Sequence, residues 1–194
     1  MPQVSRDDFE HVPLRVHDFL AGVPLHDVWA VDLPHTRSGV TLNEFLQATK
    51  AGSCKVSPSV RGLLKIRFFI GRILGWDREP ATDTWESFTQ RMTLEDRSKS
   101  LVPIGTQQGL FRVVYRFENE QLVEVINRTV HGAALTALVE MQDAYRFYFG
   151  VYVAKVSRLT PIYMTLINPF RKLVVYPSLL RTVSADWDRV FRTA

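Results

Sequence analysis

The chain has 194 residues, 46% of them apolar and 23% charged, with a net charge of +4 and a sequence pI near 9.4. This composition matches a folded domain rather than a disordered or fibrous chain, and the length suits one buried core better than two. The 24 Lys and Arg are interspersed with 20 Asp and Glu, a balance that permits a locally basic patch but does not demand nucleic acid, and none is expected as a partner.

The single Cys54 excludes an intrachain disulfide framework and a thiolate metal site, so a reducing cytoplasm is the expected setting. Asp7, Asp8 and Glu10 stand where an export signal would need a basic start and an apolar run. The longest apolar windows, residues 60–76 and 163–180, are broken by Arg61, Lys65, Arg67 and Arg72 in one and by Asn168, Arg171 and Lys172 in the other. Neither reads as a membrane span of about 20 uncharged residues.

In chain order, residues 1–27 read as an irregular N-terminal extension. Residues 28–33 alternate and stop at Pro34, as a first strand would where a ladder donor is lost. Thr41 precedes Leu42, Phe45 and Leu46, and Glu44 follows it by three, which is the capping-box spacing at a helix start; Gly52 would stop that helix. Ser57 and Pro58 repeat the start signal. The helix they open should run to about residue 74, with Leu63, Ile66, Ile70, Ile73 and Leu74 on one arc and Arg61, Lys65 and Arg72 opposite. Residues 76–93 show no sustained period and read as a polar excursion.

Strand patterns take over from there. Phe111, Val113, Tyr115 and Phe117 alternate with other residues, and a turn around residues 119–121 returns the chain into 122–129, a predicted antiparallel hairpin. Residues 130–141 would tolerate a helix, but their place between two strand patterns favours another strand with Gln142 and Asp143 as its turn. Tyr145, Phe147, Phe149, Val151 and Val153 then alternate along 144–157. Over 159–180 the bulky residues return at helical spacing. Pro169 and Pro177 there each remove a backbone donor and crowd the preceding turn, so the closing helix is expected to be jointed. The sum is an α+β plan, helices on one face of a curved antiparallel sheet with space between the sheet and the last helix.

That order, together with the segments Leu63-Leu64-Lys65-Ile66-Arg67-Phe68-Phe69-Ile70-Gly71-Arg72-Ile73-Leu74-Gly75, Asn127-Arg128-Thr129-Val130 and Ile167-Asn168-Pro169-Phe170-Arg171-Lys172-Leu173-Val174-Val175, resembles an uncharacterised bacterial family of unknown function within the START-like, polyketide-cyclase-like (SRPBCC) superfamily. The resemblance covers roughly residues 28–181. It implies a helix-grip fold over a single domain, 1–194: a curved antiparallel sheet wrapped around a long C-terminal helix, with two helices after the first strand. It also implies a small hydrophobic or amphipathic ligand, or a lipid, in a cavity between sheet and helix, and no cofactor.

Catalytic signatures are sparse. His11, His17, His26 and His35 lie in the N-terminal part with no pair spaced to share a helical face, whereas His131 falls on the predicted sheet near Arg128. There is no Gly-x-Ser-x-Gly elbow, Cys54 has only Lys55 to lower its pKa, and residues 105–109 lack the Lys-Ser/Thr pair of a phosphate loop. Tyr115, Arg128, His131, Tyr148 and Tyr152 on the sheet and Met164 on the closing helix are the candidate ligand contacts, since an apolar cavity keeps a few polar groups to orient what it holds. Their plain alternative is a set of amphipathic rings at the edge of a core. Two other readings stay open: an enzyme of cyclase, dehydratase or hydrolase type with His131, Arg128 and Tyr148 converging, and a peripheral membrane or partner-docking module using the basic helix.

Overall fold

A computed structural model describes residues 3–49, 86–127, 130–155 and 159–192. The basic helix expected over 58–74, with Cys54 before it, and Arg128 lie outside the described residues. Among the described residues six strands form one antiparallel sheet: β1 (Leu25–Pro34), β2 (Gln107–Gln108), β3 (Phe111–Arg116), β4 (Glu120–Ile126), β5 (His131–Glu140) and β6 (Ala144–Ala154). Their spatial order is β1-β6-β5-β4-β3-β2. The last five make a meander, and the first strand returns to lie beside the last.

The helices flank this curved sheet on both sides. On one side lie α1 (Arg6–Glu10), α2 (Val16–Phe19), a short 3-10 turn (Phe88–Arg91) and α4 (Leu94–Lys99); on the other lie α3 (Leu42–Ala48) and a long C-terminal helix. The sequence pattern puts helices on one face only, and residues 1–27 as irregular. The structure corrects both points. Phe9, Val16, Phe19 and Leu20 of the N-terminal segment are buried in one apolar cluster with Val28, Ala30, Tyr115, Leu122, Leu135 and Tyr148 of the sheet. Short helices with so few apolar residues do not announce themselves by period, and burial rather than propensity holds them. Helix α4 was also hidden in the sequence, although Thr93 and Asp96 form a reciprocal capping box at its start.

Capping and turn chemistry place α3. Thr41 accepts from the Glu44 amide, as expected at an N-cap, while the Glu44 carboxylate pairs with Arg37. Gly39, at φ +76°, makes the left-handed turn that a side chain would resist. Beside it, Tyr145 Oη accepts from Val40 N at 3.0 Å and donates to Arg37 O at 2.8 Å.

The C-terminal helix is jointed. It runs as α5 (Leu159–Phe170), widens into a π-helical turn (Arg171–Val175), continues as α6 (Tyr176–Trp187) and ends in a second π turn. Pro169 lies inside α5, just ahead of the widening, and Pro177 lies just past it in the first turn of α6. The two prolines therefore bracket the π turn. From α6, Tyr176, Leu180, Val183 and Trp187 pack on Trp29, Leu33, Leu138, Tyr145 and Phe147 of the sheet and on Leu42 and Phe45 of α3. Trp187 is fully buried, donates from Nε1 to Pro34 O at 3.0 Å and meets the rings of Phe45, Tyr145 and Phe191.

Replacing Trp187 by Ala is expected to cost about 3–5 kcal/mol in urea denaturation, against less than about 0.5 kcal/mol for Leu173→Ala on the exposed side of the same helix. Equal effects would show that the closing helix does not share the cooperative core.

Candidate functional site

The alternation of strand side chains divides the sheet's polar residues between its two faces. Register assigns them: Asp27 pairs with Val151, Trp29 with Phe149, and Thr136 with Phe149 from the other side. These residues face the C-terminal helix. Tyr148 pairs with Ala30 and Ala137, Tyr152 with Leu25 and Ala133, and His131 with Ala154, and these face the N-terminal segment.

The N-terminal side joins most of its polar groups in one network, with His17 Nε2, Tyr115 Oη and Glu120 Oε1 left without a hydrogen bond. Glu124 is buried and accepts from His131 Nε2 at 3.1 Å, from Phe88 N at 2.9 Å and from Ser87 Oγ, while the Phe88 ring stacks on His131 at 3.9 Å. Burial pushes the Glu124 carboxyl up, but these hydrogen bonds outweigh it and leave the group below its ordinary value. Nearby, Glu120 Oε2 accepts from Arg15 N at 3.0 Å, which ties the start of α2 to β4. Burial raises Glu120 to about 7 against the pull of Tyr115 and of the Arg15 and Val16 amides. Tyr115 is itself held well above its ordinary value, by burial first and then by the Glu120 charge. An open groove of about 1020 Å³, lined among others by Leu14, Arg15, Leu94, Asp96, Leu101 and Glu120, runs over this region. Its floor is already engaged, since Arg15 grips Asp96 with two bonds of 3.1 Å.

The helix side is different. The register slips by one residue between Leu25 and Asp27, and such a bulge re-aims the side chains around it. Asp27 is thereby buried beneath the π turn, its Oδ2 lying 3.5 Å from Arg171 Nη2 with the two side chains 1% and 13% exposed. His26 Nε2 lies 3.7 Å from the same oxygen and 2.9 Å from Asn168 Oδ1. The other arm of Arg171 donates to Asn168 Oδ1 at 3.3 Å and reaches Met164 Sδ at 4.0 Å, and its guanidinium carbon stands 5.1 Å from the Tyr176 ring centre. Tyr176 meets Trp29 and Phe149 at 5.5 Å each. Both oxygens of Asp27, Trp29 Nε1, Arg171 Nη2, Thr136 Oγ1 and Tyr176 Oη are buried and make no hydrogen bond. Burial holds Tyr176 above its ordinary value, with Arg171 opposing and Asp27 reinforcing, so it stays a neutral hydroxyl donor.

This distribution rearranges the expected site. Met164 is buried on the helix with Val130, Val153 and Ile167, next to Arg171. Tyr115, His131, Tyr148 and Tyr152 lie on the opposite face and do not join it, because the even-numbered residues of β6 and odd-numbered residues of β5 turn toward the N-terminal segment. Asp27, Trp29, Arg171 and Tyr176 did not emerge from sequence patterns. One signal was available: Asp27 is a charge between apolar neighbours in a strand that must lie against something.

A family model described as protein of unknown function, DUF2867, matches residues 19–178. The chain belongs to that family. No curated protein and no solved structure matches it. The DUF2867 match takes in Asp27, Trp29, Thr136, Met164, Arg171 and Tyr176, and stops short of Trp187. Among the described residues no helix is long and apolar enough to cross a membrane, and no group of three or more His, Cys, Asp or Glu is arranged to hold a metal ion.

Glu120 generates a pH test. Its folded value of about 7 exceeds its ordinary 4.5, so its contribution is fully present below about pH 4.5 and is lost as pH rises through 7, on the order of 3 kcal/mol in all. Glu124 and Asp96 are shifted the other way, so the readout is the difference between wild type and Glu120→Gln. The variant should be relatively more stable at pH 8 than at pH 4.5 by that margin; an identical pH profile would refute the assignment.

Proposed function

We propose that this chain is a helix-grip protein that holds a small amphipathic molecule between the helix-facing side of its sheet and the C-terminal helix. Asp27, Trp29, Arg171 and Tyr176 orient the polar end of that molecule. The observation that carries this reading is the set of six buried polar atoms without hydrogen bonds on one face. Leaving a buried polar group unsatisfied costs about 1–3 kcal/mol, and natural proteins keep few such groups. Among the described residues six such atoms lie on the helix-facing side, against three on the other face, His17 Nε2, Tyr115 Oη and Glu120 Oε1, and the larger set, which includes both members of an ion pair, is the mark of a site whose partners arrive with a ligand.

Shape supports the same reading. The helix-facing residues of β5 include Gly132, Ala134 and Thr136, whose side chains are small, and Val123, Val125, Val151 and Val153 beside them are only half-buried. The joint lies directly over the polar set, and π-helical turns recur at functional sites. The meander closed by the first strand, with a long helix laid across it, is the arrangement expected of START-like proteins. Apolar surface removed from water on binding would contribute at roughly 25 cal/mol per Å². The rival enzyme built on His131, Arg128 and Tyr148 gains no support from the described residues, because His131 is engaged by Glu124 and stacked under Phe88.

Native mass spectrometry and organic extraction of the purified protein should find a small amphiphile, and 1-anilinonaphthalene-8-sulfonate should brighten on binding the emptied protein. Arg171→Gln and Trp29→Phe should each weaken binding by about tenfold while keeping the wild-type circular dichroism. A protein that carries nothing and takes up no dye or amphiphile would sink the proposal.

A second reading rests on Phe170 and Leu173, which are 50% and 76% exposed on either side of the Arg171 and Lys172 pair. Such a turn can rest on an anionic bilayer, apolar residues inward and the cation at the headgroups, and would put the mouth of the site at the membrane. Sedimentation with vesicles containing phosphatidylserine should show binding that Leu173→Glu abolishes; unchanged sedimentation would remove this reading.

A further inference from the structure

We infer that the site beneath the π turn selects a neutral head group in which a carbonyl oxygen adjoins an N–H or O–H, such as a carboxamide, in preference to a carboxylate or an ammonium. The inference rests on the ligand-binding reading above and specifies its ligand.

Charge is the first argument. Among the described residues the charged groups facing the patch are one buried carboxylate, Asp27, and one nearly buried guanidinium, Arg171, whose charges cancel, with the His26 imidazole 3.7 Å from Asp27 beside them. An anionic head group would meet the Asp27 carboxylate at close range, and a cationic one would meet Arg171, with little water between them to screen either repulsion. A neutral group meets neither.

Donor and acceptor placement is the second. One arm of Arg171 is committed to Asn168 Oδ1 and to Met164 Sδ. The other arm, Nη2, faces Asp27 Oδ2 across 3.5 Å without forming a hydrogen bond to it, and both Asp27 oxygens lack one. A bidentate Arg and carboxylate pair would have closed that gap with two short bonds, as Arg15 and Asp96 do here at 3.1 Å. The opened pair is a donor and an acceptor side by side. A head group that accepts through its carbonyl and donates through the neighbouring N–H or O–H completes both in one plane. Trp29 Nε1 and Tyr176 Oη, also lacking hydrogen bonds, supply further donors to the carbonyl. A plain hydrocarbon would leave all of them unsatisfied.

Three probes of equal chain length test this: decanamide, decanoate and decylammonium, competed against 1-anilinonaphthalene-8-sulfonate at about pH 8, above the usual range of imidazole titration. Decanamide should bind about tenfold tighter than either ion. Asp27→Asn removes the anion and should move decanoate ahead by about tenfold, and Arg171→Gln should favour decylammonium; thermal melts confirm that each variant is folded. Decanoate or decylammonium binding wild type as tightly as decanamide would overturn the inference while leaving the cavity reading intact, as would variants that fold yet keep the wild-type order. If neither the dye nor any probe binds wild type, the cavity reading falls and this inference with it.

Discussion

Strand β6 carries aromatic side chains on both faces, Tyr145, Phe147 and Phe149 on one and Tyr148 and Tyr152 on the other, so neither face of the sheet can be left to water. A sheet with one apolar face needs one layer of cover; this one needs two. The N-terminal segment and the 86–99 stretch cover the first face, and α3 with the C-terminal helix covers the second. The strand order follows the same demand. With β1 returning to pair with β6, the longest apolar strand is flanked on both sides and lies away from the sheet edge, where its apolar rows would invite another chain.

Covering both faces makes every polar residue on the sheet a problem to be solved, and the two covers solve it differently. Under the N-terminal cover, Glu124 collects an imidazole, an amide and a hydroxyl, and Glu120 collects the backbone at the start of α2. These carboxylates bind the cover to the sheet, so their burial has a structural return. Under the C-terminal helix, Asp27 and Arg171 stand at 3.5 Å with no hydrogen bond between them. A buried ion pair is costly even in good geometry, and this one lacks it. Stability alone gives no reason to retain such a pair, which is why the functional reading attaches to this face and not to the better-connected one.

Much of the architecture was legible because periodicity reports burial. The alternation along β6, the hairpin at β3 and β4, the Thr41 cap and the joint near Pro169 each express a local rule that the structure obeys. What periodicity cannot report is which parity faces which cover. Tyr148 and Phe149 are neighbours with equivalent patterns, and only the pairing with β1 and the packing of α6 against Phe147 and Tyr145 send the tyrosine one way and the phenylalanine the other. A one-residue bulge inverts the side that side chains face, and two occur here, before Asp27 and between Val113 and Tyr115. Tyr115, His131, Tyr148 and Tyr152 therefore share one face, the one turned toward the N-terminal segment. Met164 escaped this ambiguity because a helix has only one face to offer the sheet.

The joint in the C-terminal helix links the two halves of this argument. Pro169 withholds its own donor and crowds the turn before it, and the ladder recovers only after a wider turn at Arg171–Val175. A straight helix would continue the packing that Tyr176, Leu180, Val183 and Trp187 make farther along. Widening the helix instead lifts the turn from close packing: Phe170 and Leu173 face outward, and none of the five residues of the turn is fully buried. The turn that gives only Val175 to the apolar cluster is thus the part that carries Arg171 over Asp27. Weakly anchored segments are where local opening costs least, and α6 beyond it, fixed by Trp187, can stay in place while the turn moves. Such a division, a fixed half gripping the core and a less tightly packed turn over a polar patch, is the arrangement that the ligand-binding proposal calls for.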